Sequence, residues 1–254
     1  MNNAFLKFYW SATTKYKIHS PFAFQFLTEV LEDDRYYHFF GVIETYRRNL
    51  LTNSESVSSE NGKQTIHQLT KNEIDQTYGQ ILFKAVHLYK PDTIVELGTG
   101  LGIATLYQAT PASLTQVYTF EKNTALAKKT RQFFQQFGRR NITIAPLKNV
   151  EVLEQNLSEM GTVDFILFND FDVDEGLELF EVILKFAQTN TVVALRTPYE
   201  NSAKMQFWEQ MKKHSRVRMS IDIFGLGFLF FRSQQKEVEH FKMIESWKKP
   251  WMIY

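Results

Sequence analysis

The chain contains no cysteine, no apolar run approaching the ~20 residues that span a bilayer, and almost no net charge. Without cysteine there are no disulfides, no thiolate metal sites and no cysteine nucleophiles. Without a long apolar run there is no candidate spanning helix. The opening residues MNNAFLKFYW also lack the basic-then-apolar order of a secretory leader, so a cytoplasmic protein with no membrane partner is expected. With 29 basic against 28 acidic residues the formal net charge is +1, which argues against a broadly basic nucleic-acid surface. No internal repeat is present. At 44% hydrophobic and 22% charged, the 254 residues suffice for one sizeable α/β core plus an appendage.

What is present centres on residues 93–107, TIVELGTGLGIATLY. A buried-strand pattern carrying one acid, Glu96, runs into Gly98, Thr99, Gly100 and Gly102, and an apolar helical pattern follows. That order is strand, tight turn and helix start. Glycine serves where the backbone takes positive φ or approaches a ligand, and the helix start offers free N–H groups. A dinucleotide fingerprint needs G-x-G-x-x-G. Here the last position of that spacing is Ile103 and the third glycine arrives one place early, so NAD is disfavoured. A second apolar run, 116–120, ends in Glu121, where the second strand of a Rossmann-like unit ends and an acid accepts hydrogen bonds from ribose hydroxyls.

Around this centre the chain divides into an aromatic-rich N-terminal part (1–69), a core part (70–232) and a tail (233–254). Aromatics recur at three- and four-residue spacing through 1–52, which predicts two or three short helices, one of them opened by Ser20 and Pro21. These rings serve packing, a cap over an acceptor pocket, or a dimer face. Residues 53–64 hold a single apolar side chain, Val57, and are expected to form a mobile loop. Thr70 and Glu73 have the spacing of a capping box for a helix that closes before Pro91. Beyond Glu121, helices at 123–137, 149–159, 174–187 and 201–213 alternate with strands at 141–145, 163–168 and 191–195. Such alternation means a mostly parallel sheet with helices on both faces and ligands beyond the strand carboxyl ends. The glycine turn, Glu121, Asn149, Asn169 and Arg196 fall on that edge. Strands at 216–222 and 227–232, joined at Phe224-Gly225-Leu226, predict a closing antiparallel hairpin, and the segment ending KKPWMIY has no evident place.

The E-x-G-x-G-x-G spacing of VELGTGLG, the segments IHSPFAF and DFILFND, and the terminal SIDIFGLGFLFFR together resemble bacterial class I methyltransferases dependent on S-adenosylmethionine (SAM), related to small-molecule O-methyltransferases. The resemblance implies a Rossmann-like, mostly parallel sheet with a C-terminal antiparallel hairpin, an N-terminal helical cap, SAM as cofactor and a small-molecule acceptor. On it, Glu96 attracts the methionine ammonium directly or through water, and Gly98, Thr99, Gly100, Gly102, Glu121, Asn149 and Asn169 complete the cofactor set. Arg196 and Tyr199 are candidates for the acceptor side, and His19 and Asp172 for a base. Phe168, Phe171 or Tyr199 would steady the sulfonium by cation–π contact. The metal-dependent branch of these enzymes carries an Asp at the end of strand four and an acid and amide after strand five. This chain has Asn169 and the sequence Arg196-Thr197-Pro198 there, so no metal is expected. The acidic run Asp170, Asp172, Asp174 lacks the glycine and distal Glu of a calcium loop. No N/D-P-P-Y-type motif points to nucleic acid. The alternative to an enzyme is a SAM-binding protein without catalysis that acts in interaction or sensing, and a homodimer is compatible with either.

Overall fold

The computed structural model describes residues 3–59, 62–233 and 237–252. Its contacts fall into two compact units, residues 35–171 and residues 1–34 with 172–254. The chain opens with α1 (Asn3–Ser11) and α2 (Pro21–Phe26). Ser20 caps α2 by accepting from the Ala23 amide, and Pro21 occupies the first turn, where its missing N–H costs nothing.

The unit 35–171 begins with α3 (His38–Leu51), which buries Phe40, Ile43, Tyr46 and Leu50 at helical spacing. The expected loop at 53–64 is instead largely a hairpin: β1 (Ser56–Ser59) pairs antiparallel with β2 (Gly62–Thr65). Its tip, 60–61, lies outside the described residues. Partners distant in sequence explain the difference: Val57 is buried, Asn123 donates its side-chain amide to the Ser58 carbonyl, and Lys129 pairs with Glu55. A second correction concerns capping. The box forms at Thr65 and Gln68, opening α4 (Ile66–Thr70), while α5 (Gln76–Tyr89) is capped by Asp75. The Thr70 hydroxyl turns back to the Ile66 carbonyl, and Glu73 is left to reach elsewhere.

Then β3 (Thr93–Leu97), α6 (Ile103–Ala109), β4 (Gln116–Glu121), α7 (Thr124–Gln136), β5 (Ile142–Pro146), α8 (Val150–Met160) and β6 (Val163–Phe168) alternate as expected. The strands lie in the order β6-β3-β4-β5, each parallel to its neighbour, because helical crossovers return the chain to the same end of the sheet. Leu97 sits beside both Phe120 and Phe168, so β3, β4 and β6 finish level. The glycine turn, Glu121 and Asn169 therefore emerge on one edge.

The other unit continues with α9 (Gly176–Phe186), β7 (Ala187–Arg196), α10 (Ser202–Lys213), β8 (Met219–Asp222), β9 (Leu226–Phe230) and β10 (Glu239–Lys242). Within it β9 pairs antiparallel with β7 and β8, which is the hairpin ending, and β10 adds a parallel strand against β8. The tail is thus part of the fold. Lys249 is buried and donates to the carbonyls of Trp10 and Ala12, satisfying acceptors that α1 leaves open at its C-terminal end. The N-terminal rings pack on the hairpin: Phe26 meets Phe228 edge-on at 5.0 Å, and Phe22 meets Phe230 at 4.8 Å. No helix among the described residues is long and apolar enough to cross a membrane.

Helix α5 reaches α6 through a glycine. A Cβ at Gly79 would overlap the ring of Tyr107, which is fully buried. On propensity alone Gly79→Ala would stabilise the helix by ~1 kcal/mol, but overpacking of this kind costs about 1–3 kcal/mol. Gly79→Ala should accordingly lower the denaturant midpoint. A raised midpoint would show that α5 can withdraw from Tyr107.

Candidate functional site

The turn between β3 and α6 holds Gly98, Gly100 and Gly102 at φ of 87°, 57° and 82°, where side chains are strained. The lack of side chains also makes room. A Cβ would overlap the backbone of Asp170 at Gly98, the carboxylate of Glu73 at Gly100, and the ring of Phe134 at Gly102. The end of β6, the segment before α5, and α7 therefore close on this one turn. Thr99 is buried, and its hydroxyl lies 2.7 Å from that of Thr119.

Three acids surround the turn, and their settings differ. Glu96 has no exposed surface. It accepts from the Thr105 hydroxyl and from the amides of Gln108 at 3.1 Å and Asn169 at 3.4 Å. Burial lifts its carboxyl to about 8 and the charge of Glu73 pushes the same way, against the hydrogen bonds from Thr105, Thr119 and Gln108. Glu121 accepts the Gly100 and Asn123 amides at 2.9 Å each. Burial raises its carboxyl too, helped by the charge of Asp170 and opposed by the N–H groups of Asn123, Gly100 and Thr99. The Gly100 and Asn123 amides thus occupy two of the roughly four lone-pair sites of this carboxylate. Glu73 is only half-buried, and its Oε1 accepts the Leu101 amide at 2.6 Å. Asn169, at the end of β6, is turned inward and donates to the Gly98 carbonyl at 2.7 Å.

The unit 35–171 therefore brings together Glu96, Gly98, Thr99, Gly100, Gly102, Glu121 and Asn169. Asn149 caps α8, its side chain accepting from the Val152 amide. Phe168 and Phe171 pack edge to face at 5.0 Å, both buried. The remaining candidates belong to the other unit. His19 and Asp172 are exposed, and Asp172 accepts from the Asp174 amide in a local turn. Arg196 is half-buried at the end of β7. The Tyr199 ring stacks on Phe224 with centroids 5.2 Å apart and meets Phe8 edge-on, while its hydroxyl donates to the buried Asp222, so it is held as a packing residue. Among the described residues no three His, Cys, Asp or Glu side chains are grouped to hold a metal ion. Glu73 is the residue that sequence reasoning missed. Its spacing from Thr70 imitated a capping box, and nothing local distinguishes that from a reach across to residue 101.

No protein-family model matches the chain, and no curated protein matches it in sequence. Solved structures do. An O-methyltransferase from Bacillus cereus in complex with S-adenosylhomocysteine is similar at a TM-score of 0.57 and 16% identity, covering 81% of this chain and 96% of that one. A methyltransferase from Podospora anserina, also bound to S-adenosylhomocysteine, gives 0.60 and 12%, covering 85% and 97%. The fold is that of class I O-methyltransferases. The O-methyltransferase TomG of Streptomyces achromogenes, involved in tomaymycin synthesis and solved with SAM, has the same fold at 0.58 and 14%, covering 78% and 92%. The Rossmann-like class expected from alternation and from the terminal hairpin is thereby met.

The raised carboxyl of Glu96 has a sign. The folded chain holds the Glu96 proton at pH values where the unfolded chain has released it, so this contribution is complete below the ordinary value of 4.5. It is lost as pH rises through about 8. Stability should fall across that window by at most about 1.4 kcal/mol per pH unit from this group. Denaturant melts between pH 5 and 8 test it: Glu96→Gln should flatten the slope, and an unchanged slope would place its origin elsewhere.

Proposed function

We propose that the chain is a SAM-dependent methyltransferase acting on a small-molecule acceptor at oxygen, without a divalent metal. The observation that carries the reading is the occupancy of the turn. Its successive amides at Gly100 and Leu101 are taken by the carboxylates of Glu121 and Glu73. A pyrophosphate needs such amides as donors and would meet two negative charges instead. A ligand with cationic groups gains from the same charges, and SAM carries a sulfonium and an ammonium.

The residues present fit that cofactor. Positive-φ glycines keep the floor of the turn open, and Glu121 keeps room for a ribose hydroxyl donor. Bound SAM would supply a methyl group already activated on sulfur. The protein then has to fix donor and acceptor in line and exclude water, which shifts the burden from catalytic side chains to positioning. Metal independence is supported by Asn169, whose amide is turned inward as a donor to Gly98 and Glu96, where a metal site would need an outward carboxylate.

SAM or S-adenosylhomocysteine at one hundred times its dissociation constant should stabilise the protein by roughly 2.7 kcal/mol in a thermal shift, and NAD should not. Equal stabilisation by NAD, or none by either SAM compound, sinks the reading. Chelation with EDTA should leave both SAM binding and transfer of labelled methyl to a phenol panel unchanged. Loss of transfer restored by magnesium would show that a carboxylate near Asn169 holds a metal after all.

A further inference from the structure

Tryptophan is a residue that folding usually covers, yet three of the four in this chain are left outside. Trp10, Trp247 and Trp251 are 71%, 62% and 57% exposed, whereas Trp208 is buried. The three come from residues 3–17 and 242–252 of one unit, and the fold stitches these segments together. Thr13 and Met243 form a parallel bridge, the Ile244 amide donates to the Thr13 carbonyl, and Lys249 donates to the carbonyls of Trp10 and Ala12. The Tyr9 ring meets Trp10 and Trp251 edge-on at 6.0 and 6.2 Å, and its hydroxyl donates to the Lys248 carbonyl at 2.7 Å. Tyr16 adds a fourth exposed ring. The same segments are basic. Residues 3–17 carry Lys7, Lys15 and Lys17 and no acid, and residues 242–252 carry Lys242, Lys248 and Lys249 against Glu245, in a chain of net charge +1. Glu245 pairs with Lys248 and Glu32 with Lys15, and in both pairs the carboxylate is the nearly buried partner. Lys7 lies three residues before Trp10 on the same side of α1, and both are exposed.

We propose that this face docks on an anionic lipid surface, with its tryptophans at the headgroup boundary and its lysines among the phosphates. Trp and Tyr are amphipathic rings suited to that boundary, and lysine lays its stem along apolar surface while its ammonium stays in water. A second copy of this chain fits the face poorly, because a twofold contact would set lysines against lysines. Nucleic acid fits less well too: neither segment contains arginine, the side chain whose planar fork pairs with phosphate and stacks on bases. Docking of this kind needs no spanning helix, and none is present among the described residues. The expectation of no membrane partner rests on span length and leader order, neither of which a surface contact requires.

Because three of the four tryptophans are on this face, intrinsic fluorescence reads it directly. Vesicles of phosphatidylcholine and phosphatidylglycerol in equal parts should shift the emission to the blue and carry the protein upward in a flotation gradient. Vesicles of phosphatidylcholine alone should do neither. Lys7→Glu with Lys17→Glu, both exposed, should weaken the binding about tenfold or more. Lys63→Glu with Lys71→Glu, exposed in the unit 35–171, changes the net charge equally and should leave binding within about twofold. Failure to bind the anionic vesicles, equal binding to phosphatidylcholine, or equal loss with both pairs of substitutions overturns the proposal. A blue shift that accompanies self-association in sedimentation without lipid would assign the face to a second copy, and one produced by single-stranded RNA but not by vesicles would assign it to nucleic acid; either overturns it as well. Should Lys7→Glu with Lys17→Glu unfold, the wild-type protein decides: brominated lipid in the anionic vesicles should quench the exposed tryptophans, and unquenched emission overturns the assignment.

Discussion

In the unit 35–171 the segment before α5, α7 and the end of β6 converge on five residues of backbone, 98–102. Their conformation requires positive φ at three positions, and their neighbours are close because those three positions carry no side chain. The constraint is mutual. Asp170, Glu73 and Phe134 occupy the volume that Cβ atoms would fill, so a substitution at any of the three glycines would strain the backbone and displace a separate element. The amides the turn exposes are then satisfied by acids brought from before α5 and from the end of β4, and one of its carbonyls by an amide from the end of β6.

The proposed ligand chemistry rests on that satisfaction. A glycine turn ahead of a helix is usually read as an anion cradle because its N–H groups point at open space. Here carboxylates fill the space first. The same backbone geometry thus acquires the opposite preference, and the third glycine one place early in sequence has an electrostatic counterpart in the structure. Burial sharpens the effect, since charges near the turn are worth more where water is excluded, and the raised carboxyls of Glu96 and Glu121 are the internal sign of that crowding.

Much of this was legible beforehand. Short apolar runs separated by helical periods gave β3 to β7 in order, and the spacing of Glu96, Gly98, Gly100, Gly102 and Glu121 located the edge where they meet. What escaped was tertiary in origin. The β1–β2 hairpin is polar and takes its anchors from α7; β10 is a short strand with only Phe241 as an apolar residue; and Glu73 followed a threonine at capping distance. Local patterns encode what a segment does with its neighbours in sequence, so a residue whose partner lies 28 positions away, as Leu101 does from Glu73, leaves no local trace. The same limit applies to burial: a single acid in an apolar strand reads identically whether it faces solvent or, like Glu96, sees none.

The unit formed by 1–34 and 172–254 spends its polar groups differently. Tyr199 is committed to Asp222 and to the rings of Phe8 and Phe224, and burial together with the Asp222 charge holds its hydroxyl protonated well above the usual range, so it can donate but is unsuited to act as a base. Lys249 is committed to the end of α1, and Lys204 to Glu200 and Thr197. These are structural uses. They agree with what methyl transfer from an activated sulfonium asks of a protein, which is a donor held by many weak contacts and an acceptor held in line, with few side chains entering the bond-making step. On the proposed reading the distinctive chemistry lies at the turn, where the acids around residues 98–102 are found.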